Sequence, residues 1–351
     1  MSAASARPGG GQGGGGPSEA VVEEDWSSLA GGGGGGGGGG PLSSSGPAFA
    51  RHDLRRLALS DAVGLTLHCA PELSPLDMID LYHGSRDSTG NRIWTGALLF
   101  VEALARPLPP QAEAEAPSPM RAALVRLRRE AMGGGKRLLE MGAGTGMSGI
   151  SVLCGGGDGD GGGDGDSALG GGGSGGRPQL HVTFTDSDRS VLELCERNCR
   201  ENVADASLYS VAQLEWGADL AGGTDENAVR QGAYDTVFAT DCLYNIQSLP
   251  PLLQTASALL RTGGYFIISH VPRASVETDD GFSSVVASAQ ILERSIVKKA
   301  RRYSLEVYPG LSSIRPEDLR PLWGGRAIDE DGASFDHMAG IGAAVLIFRK
   351  Q

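Results

Sequence analysis

A run of apolar residues that stops on glycine and restarts as a helix is the feature that most narrows the fold of this chain. It reads KRLLEMGAGTGMSGISVLC, from Lys136 to Cys154. The first six residues have strand character, Gly142, Gly144, Gly146 and Gly149 crowd the turn, and GISVLC opens a helix. Glycine there lets the backbone bend tightly and approach a ligand with no Cβ in the way, and a helix N-terminus presents unpaired N–H groups. The alternation continues downstream. HVTFTD, LYSVAQLEW, YDTVFATD and GGYFIISH read as strands, and DRSVLELCERNCRENV and LPPLLQTASALLR as helices, the second with its prolines in the first turn, where they are tolerated. DGFSSVVASAQILERSIVKKARR reads as a further helix, and YSLEVY and AAVLIFRK as two closing strands separated by a long loop. Strands alternating with helices predict a Rossmann-like, doubly wound α/β fold: a mostly parallel seven-stranded sheet with helices on both faces and an antiparallel edge.

Upstream, residues 51–93 mix short apolar stretches with turns. WTGALLFVEALA (Trp94–Ala105) reads as a helix with a stripe at Leu98, Leu99, Val101 and Leu104, and RAALVRLRREA as a short basic helix closed by Gly133–Gly135. Many of the 56 glycines are clumped, with ten in succession at Gly31–Gly40 and a Gly/Asp-rich stretch at 155–176. Such segments carry too little apolar surface to offset the entropy of ordering them. The expected organisation is a disordered leader, 1–50, and one domain, 51–351, with low-complexity insertions at 106–120 and 155–176.

The formal charge of −12 argues against a nucleic-acid backbone as the main ligand and suits a basic peptide better. Cys69, Cys154, Cys195, Cys199 and Cys242 form no CxxC pair, which suggests reduced thiols. Cys195 and Cys199 share a helix phase with Val191 and Val203, so packing is expected there and no metal site. No stretch reaches the length of a membrane-spanning helix, and the N-terminus lacks the apolar core of a secretory signal. The cytoplasm is the expected compartment, with the nucleus and an organelle left open.

In a doubly wound sheet the ligand sits beyond the carboxyl ends of the strands. Gly144-Thr-Gly146-Met-Ser-Gly149 also fits a dinucleotide turn, GxGxxG. Glu140 separates the readings, because a carboxylate just ahead of the glycines opposes a pyrophosphate but accepts from the amino group of S-adenosylmethionine (SAM). Asp186, ending the next strand, is placed to accept from both ribose hydroxyls, and its spacing from Gly146 becomes ordinary once 155–176 is set aside. A helix-capping role for Asp186 is the alternative, with Asp188 an equally good cap. Trp216, in LEWG, is placed to cover an adenine face, against simple packing as the alternative. FATDCLY puts Asp241 and Tyr244 three apart at a strand end. An anionic Asp241 suits a site where positive charge moves onto an acceptor nitrogen, with Tyr244 as a hydrogen-bonding or cation–π wall. The alternative is an aspartate that caps the next helix, and little stability is expected to depend on it.

These segments resemble the seven-β-strand methyltransferases of family 16, the group that includes the methyltransferase-like protein-lysine methyltransferases. The resemblance runs from about Asn91 to Lys350. RIWTGALLF is similar to the family's tryptophan-led helix, LLEMGAGTGMSGI to its first SAM motif, VTFTDSDRSVLELCERN to the strand and Asn-bearing helix that follow, LEWG to its adenine-side motif, and ATDCLY to its D-x-x-Y motif. It implies that Trp94, Gly142, Ala143, Gly144, Asp186, Trp216 and Thr240 contact SAM and that Asp241 and Tyr244 lie beside the acceptor, as catalytic residues. Glu140 and Gly146 join the cofactor set from the residue reading above. Thr240 departs from the small alanine common in the family. The expected activity is N-methylation of a lysine on a protein substrate by a monomer that uses SAM and takes neither nucleic acid nor membrane as partner. Methylation of a small-molecule or histidine nitrogen, and a non-catalytic interaction protein on the same fold, are the alternatives.

Overall fold

The computed structural model describes residues 53–70, 89–109, 118–155, 179–218, 229–243, 245–272, 275–277, 284–286, 289–323 and 334–351. The leader 1–50, most of both low-complexity insertions and Tyr244 lie outside the described residues. An antiparallel pair, β1 (Asp53–Ala58) and β2 (Gly64–Cys69), comes first, followed by α1 (Thr95–Phe100) and α2 (Pro119–Met132). Then β3 (Arg137–Met141), α3 (Met147–Gly155), β4 (His181–Asp186), α4 (Arg189–Asn202), β5 (Tyr209–Gln213), β6 (Tyr234–Thr240), α5 (Leu249–Leu259) and β7 (Leu260–His270) follow in turn. Beyond them lie a hairpin of β8 (Ser275–Glu277) and β9 (Ser284–Val286), then α6 (Ala289–Ala300), β10 (Leu305–Val307), β11 (Ser313–Ile314), α7 (Pro316–Trp323), α8 (Phe335–Gly340) and β12 (Ala344–Lys350).

The main sheet has the order β10-β12-β7-β6-β3-β4-β5, with the two-residue β11 also paired to β12. Five neighbours, β7-β6-β3-β4-β5, are parallel, whereas β12 runs antiparallel to both β7 and β10. The expected α/β fold is present, and its antiparallel finish is a single reversed strand slotted inside the edge. The chain moves outward from β3 through β4 to β5, then returns to β6 on the other side of β3. That reversal opens a crevice at the carboxyl ends of β3 and β6, where ligands of such sheets bind.

Strand residues alternate between two apolar layers. Leu138, Phe238 and Ile267 face α1 to α4 and meet Phe100, Leu124, Ile150 and Cys195, with the Phe100 and Phe238 rings stacked at 4.8 Å. Leu139, Val237, Phe266 and Ile268 face α5 and α6, meeting Leu252, Ala256, Leu292 and Ile296. Cys195 and Cys199 are buried core residues, as their helix phase implies.

Asparagines four apart on α4 hold the open edge of β2. Asn202 accepts from Thr66 N (2.8 Å) and donates to Thr66 O (2.8 Å), and Asn198 does the same for His68 N (2.8 Å) and O (3.0 Å). One helical turn rises about 5.4 Å and two strand residues span about 6.8 Å, near enough for one amide per alternate strand residue. Asn198 also donates to Thr145 O (2.9 Å) inside the glycine turn. Asn198→Ala leaves these buried groups unpaired and is expected to cost on the order of 3 kcal/mol. Denaturant unfolding checks this; a loss under about 0.5 kcal/mol, the surface-mutation range, contradicts it.

Three expectations about elements need correction. The helix from Trp94 is α-helical only to Phe100 and continues as a π-helical turn, Val101–Ala105, with Arg106 N bonded to Val101 O at 2.8 Å. Arg128 on α2 caps that turn by donating to Ala103 O (2.9 Å), and Arg106 forms a buried ion pair with Glu102 (2.7 Å). The long helix expected from Asp280 starts only at Ala289. Serines and β-branched Val285 and Val286 disfavour helix, and Ser284–Val286 pairs as β9 instead. The closing loop contains α7 and α8, the second capped by Ser334, which accepts from His337 N at 3.2 Å. No described helix is long and apolar enough to cross a membrane.

Candidate active site

At the end of β3 the chain turns through Gly142, Gly144 and Gly146 with φ of +63°, +56° and +79°, the left-handed region that favours glycine. Space is as restrictive as the angle. A Cβ on Gly142 would lie 2.7 Å from Cys242 Sγ and 3.3 Å from Trp216 Cζ2, and one on Gly144 would lie 2.8 Å from Gly90 O. Ala143 N donates to Thr185 O (2.8 Å), and Thr185 Oγ1 to Glu140 O (2.7 Å), so β4 carries the turn.

Asp186, at the end of β4, faces this turn. Its Oδ2 accepts from Gly144 N (3.2 Å) and its Oδ1 from Asp188 N (3.1 Å), which leaves each oxygen a further lone pair. Burial pushes its carboxyl above the usual range, against the pull of the Asp188, Gly144 and Ser187 amides. Asp188 is the helix cap, accepting from Ser190 N at 2.8 Å, so the two aspartates have separate tasks.

Trp216 lies three residues beyond the end of β5 and is half-buried against the Gly142 turn. Its loop is tied down by Gly217 N donating to Thr255 Oγ1 on α5 (2.8 Å). Thr240, unusual in the motif, has a partner: its Oγ1 lies 3.1 Å from Ser148 Oγ, joining β6 to the first turn of α3. Trp94 precedes α1 in extended conformation, and its carbonyl accepts from Ala97 N (3.0 Å) and Leu98 N (3.2 Å).

Asp241 ends β6 with φ +56° and is only 6% exposed. Its Oδ2 accepts from Gly96 N (2.7 Å) and its Oδ1 from Val271 N (3.1 Å). It does cap a helix N-terminus, but that of α1 rather than the next helix, whose approach is capped by Asn245 through Gln247 N (2.8 Å). The expectation that little stability depends on Asp241 is therefore corrected: the carboxylate joins α1, β6 and the end of β7. Gly96 permits this approach, since a Cβ there would lie 2.8 Å from Asp241 Cγ.

Glu140 lies beneath the glycine turn, fully buried. Its Oε2 accepts from Gly149 N (3.1 Å), while Oε1 has no hydrogen-bond partner among the described residues. Burial pushes its pKa up to about 8, only partly countered by bonds from Gly149 and Ser148. An acid whose pKa is raised on folding holds its proton more tightly in the folded state. Its stabilising contribution is full below the ordinary value of 4.5 and is lost as pH rises towards 8. Without ligand, melting temperature is expected to fall across that window, and Glu140→Gln to flatten the fall. Equal pH slopes in the two proteins contradict this.

The sequence-derived residues Trp94, Glu140, Gly142, Ala143, Gly144, Gly146, Asp186, Trp216, Thr240 and Asp241 all belong to elements meeting at the crevice. Tyr244 lies outside the described residues. Sequence reasoning gave no site role to Ser148 and Cys242, which fill unassigned positions of the quoted motifs, or to Gly90, and gave Asn198 no task; its i, i+4 pairing with Asn202 was the available signal. The residues fit SAM: an orphaned buried carboxyl oxygen at the base of the turn matches an ammonium donor or a bridging water, Asp186 has spare acceptor capacity for ribose hydroxyls, and an indole flanks the turn. Among the described residues no group of three or more His, Cys, Asp or Glu side chains gathers to hold a metal ion.

A family model described as lysine methyltransferase matches residues 75–288, a span that includes every site residue above. Protein N-lysine methyltransferase METTL21A of Danio rerio is 29% identical over 150 residues, 42% of this chain and 54% of that protein. EEF1A lysine methyltransferase 3 of Xenopus tropicalis is 26% identical over 175 residues, 50% and 63% of the respective chains. Ribosomal RNA small subunit methyltransferase G of Deinococcus radiodurans is 32% identical over 105 residues, 30% and 37%. The chain thus spans 37–63% of the length of these three relatives. The family match covers more than half of the chain and coincides with the crevice and its glycine turn, and on that ground the chain belongs to the lysine methyltransferase family.

Proposed function

We propose that this protein transfers a methyl group from SAM to the side-chain amine of a lysine on a protein substrate. The observation that carries the reading is the convergence of the glycine turn, Asp186 and Asp241 at the β3/β6 crevice in a chain of this family. SAM, when bound, supplies a methyl group on a positively charged sulfur. Asp186 is assigned to the ribose hydroxyls, Glu140 to the amino group, Trp216 to the adenine face, and Trp94, Gly142, Ala143, Gly144, Gly146 and Thr240 to the pocket wall.

Positive charge moves onto the acceptor nitrogen during transfer, so a fixed anion nearby favours the reaction. Asp241 is such an anion, held in place by two backbone amides before any ligand arrives. Tyr244 is assigned to the acceptor side with it. The lysine must be neutral to react, and desolvation of its amine on entering the site would assist loss of the proton. The working form is a cytoplasmic monomer with a protein partner.

Calorimetric titration with SAM and with NAD tests the cofactor assignment. SAM is expected to bind and NAD not to; NAD binding without SAM binding overturns the reading.

A further inference from the structure

In a chain of net charge −12, five cations fall within nine residues: Arg294, Lys298, Lys299, Arg301 and Arg302. They lie on α6 and the turn after it, on the opposite side of the sheet from α1 to α4. Arg294, Lys298 and Arg301 recur at helical spacing and line an open groove of about 480 Å³ with Gln290, Glu293 and Val297. Among the described residues Arg294, Lys298 and Arg302 make no ion pair, while Arg301 reaches Glu306 at 3.5 Å. Cations in the last turn complement a helix dipole, which accounts for Lys298 and Lys299. It does not account for Arg294 in mid-helix, and like charges four apart destabilise a helix.

The groove also has apolar character. Val297 is half-buried within it. From Arg294 to Arg301 the helix rises about 10 Å, the reach of roughly three or four residues of extended peptide. A longer polyanion would leave the basic stripe for a surface whose overall charge repels it.

We infer that the α6 face is a docking surface for a short acidic segment of the protein substrate, with an apolar side chain set on Val297. The identity of the docked protein as substrate rests on the function proposed above; the surface itself does not. Ala289, which opens α6, and Pro272, two residues past the end of β7, both lie against Gly342, so the start of α6 is near the carboxyl end of β7 and an acidic segment held along it leads towards the crevice.

The test is fluorescence anisotropy on the full chain, without methyl transfer. The probe is a labelled peptide of about twelve residues alternating glutamate pairs with leucine, beside its lysine counterpart and a single-stranded RNA of similar length. The acidic peptide is expected to bind more tightly than either, to weaken with salt, and to lose at least tenfold in affinity on the triple reversal Arg294→Glu, Lys298→Glu, Arg301→Glu. SAM titration of that variant checks the fold, with Arg294→Ala/Lys298→Ala as the milder substitute if it misfolds. Equal acidic-peptide affinity in wild type and variant, or no binding, overturns the inference. So does RNA that binds more tightly than the peptide and is lost in the variant, which would make the stripe a nucleic-acid surface. A protein that binds SAM yet ignores the peptide sinks the docking surface alone.

Discussion

Asp241→Asn is expected to slow methyl transfer on the order of a hundredfold, the usual effect of losing one preorganised electrostatic contact, and to destabilise the fold by about 1–3 kcal/mol. Both effects follow from one geometry. The carboxylate accepts Gly96 N through one oxygen and Val271 N through the other. Asparagine retains one acceptor and turns an NH2 towards the other amide, leaving that buried donor unpaired. It also tolerates the left-handed backbone at this position, φ +56°, so the variant removes charge without straining the turn. Gly96→Ala makes a useful companion, because it crowds the same carboxylate while keeping its charge. Single-turnover transfer beside thermal unfolding reads both quantities. Transfer at the wild-type rate with an unchanged melting temperature contradicts the assignment.

Asp186→Ala is expected to weaken SAM binding by roughly 1.5–3 kcal/mol, the range for hydrogen bonds to a charged group. The variant also frees Gly144 N, so the glycine turn loses a support on the same side as the ligand. Asp186→Asn is expected to fall between wild type and alanine, since one acceptor remains. The cap of α4 is untouched in both, because Asp188 supplies it, and helix content stays constant. Calorimetry with SAM measures the change; wild-type affinity in the alanine variant refutes the ribose assignment.

The parallel strands were legible because β3, β6 and β7 are buried on both faces and read as nearly continuous apolar runs. The glycine turn and its acids were legible for a related reason: each stands at the end of such a run, where a doubly wound sheet gathers its ligand groups. Legibility failed where a long-range contact decides the outcome. Nothing local to Asp241 shows that its partners are Gly96 and Val271, 145 and 30 residues away. Asn198, though it stands in the Asn-bearing helix motif, had no partner assigned until β2 was placed beside α4. The π-helical turn at Val101–Ala105 depends on Arg128 to cap its carbonyls, so the sequence of that helix alone reads as plain α-helix.

The central claim, methyl transfer to a protein lysine, is tested most directly by incubating the purified chain with a lysate and SAM carrying a labelled methyl group. Labelled macromolecules are then separated into protein and RNA and sequenced by mass spectrometry. The account predicts label on a lysine side chain of one or a few proteins, abolished by Asp186→Ala; label confined to RNA or to a histidine, or none despite measured SAM binding, would contradict it.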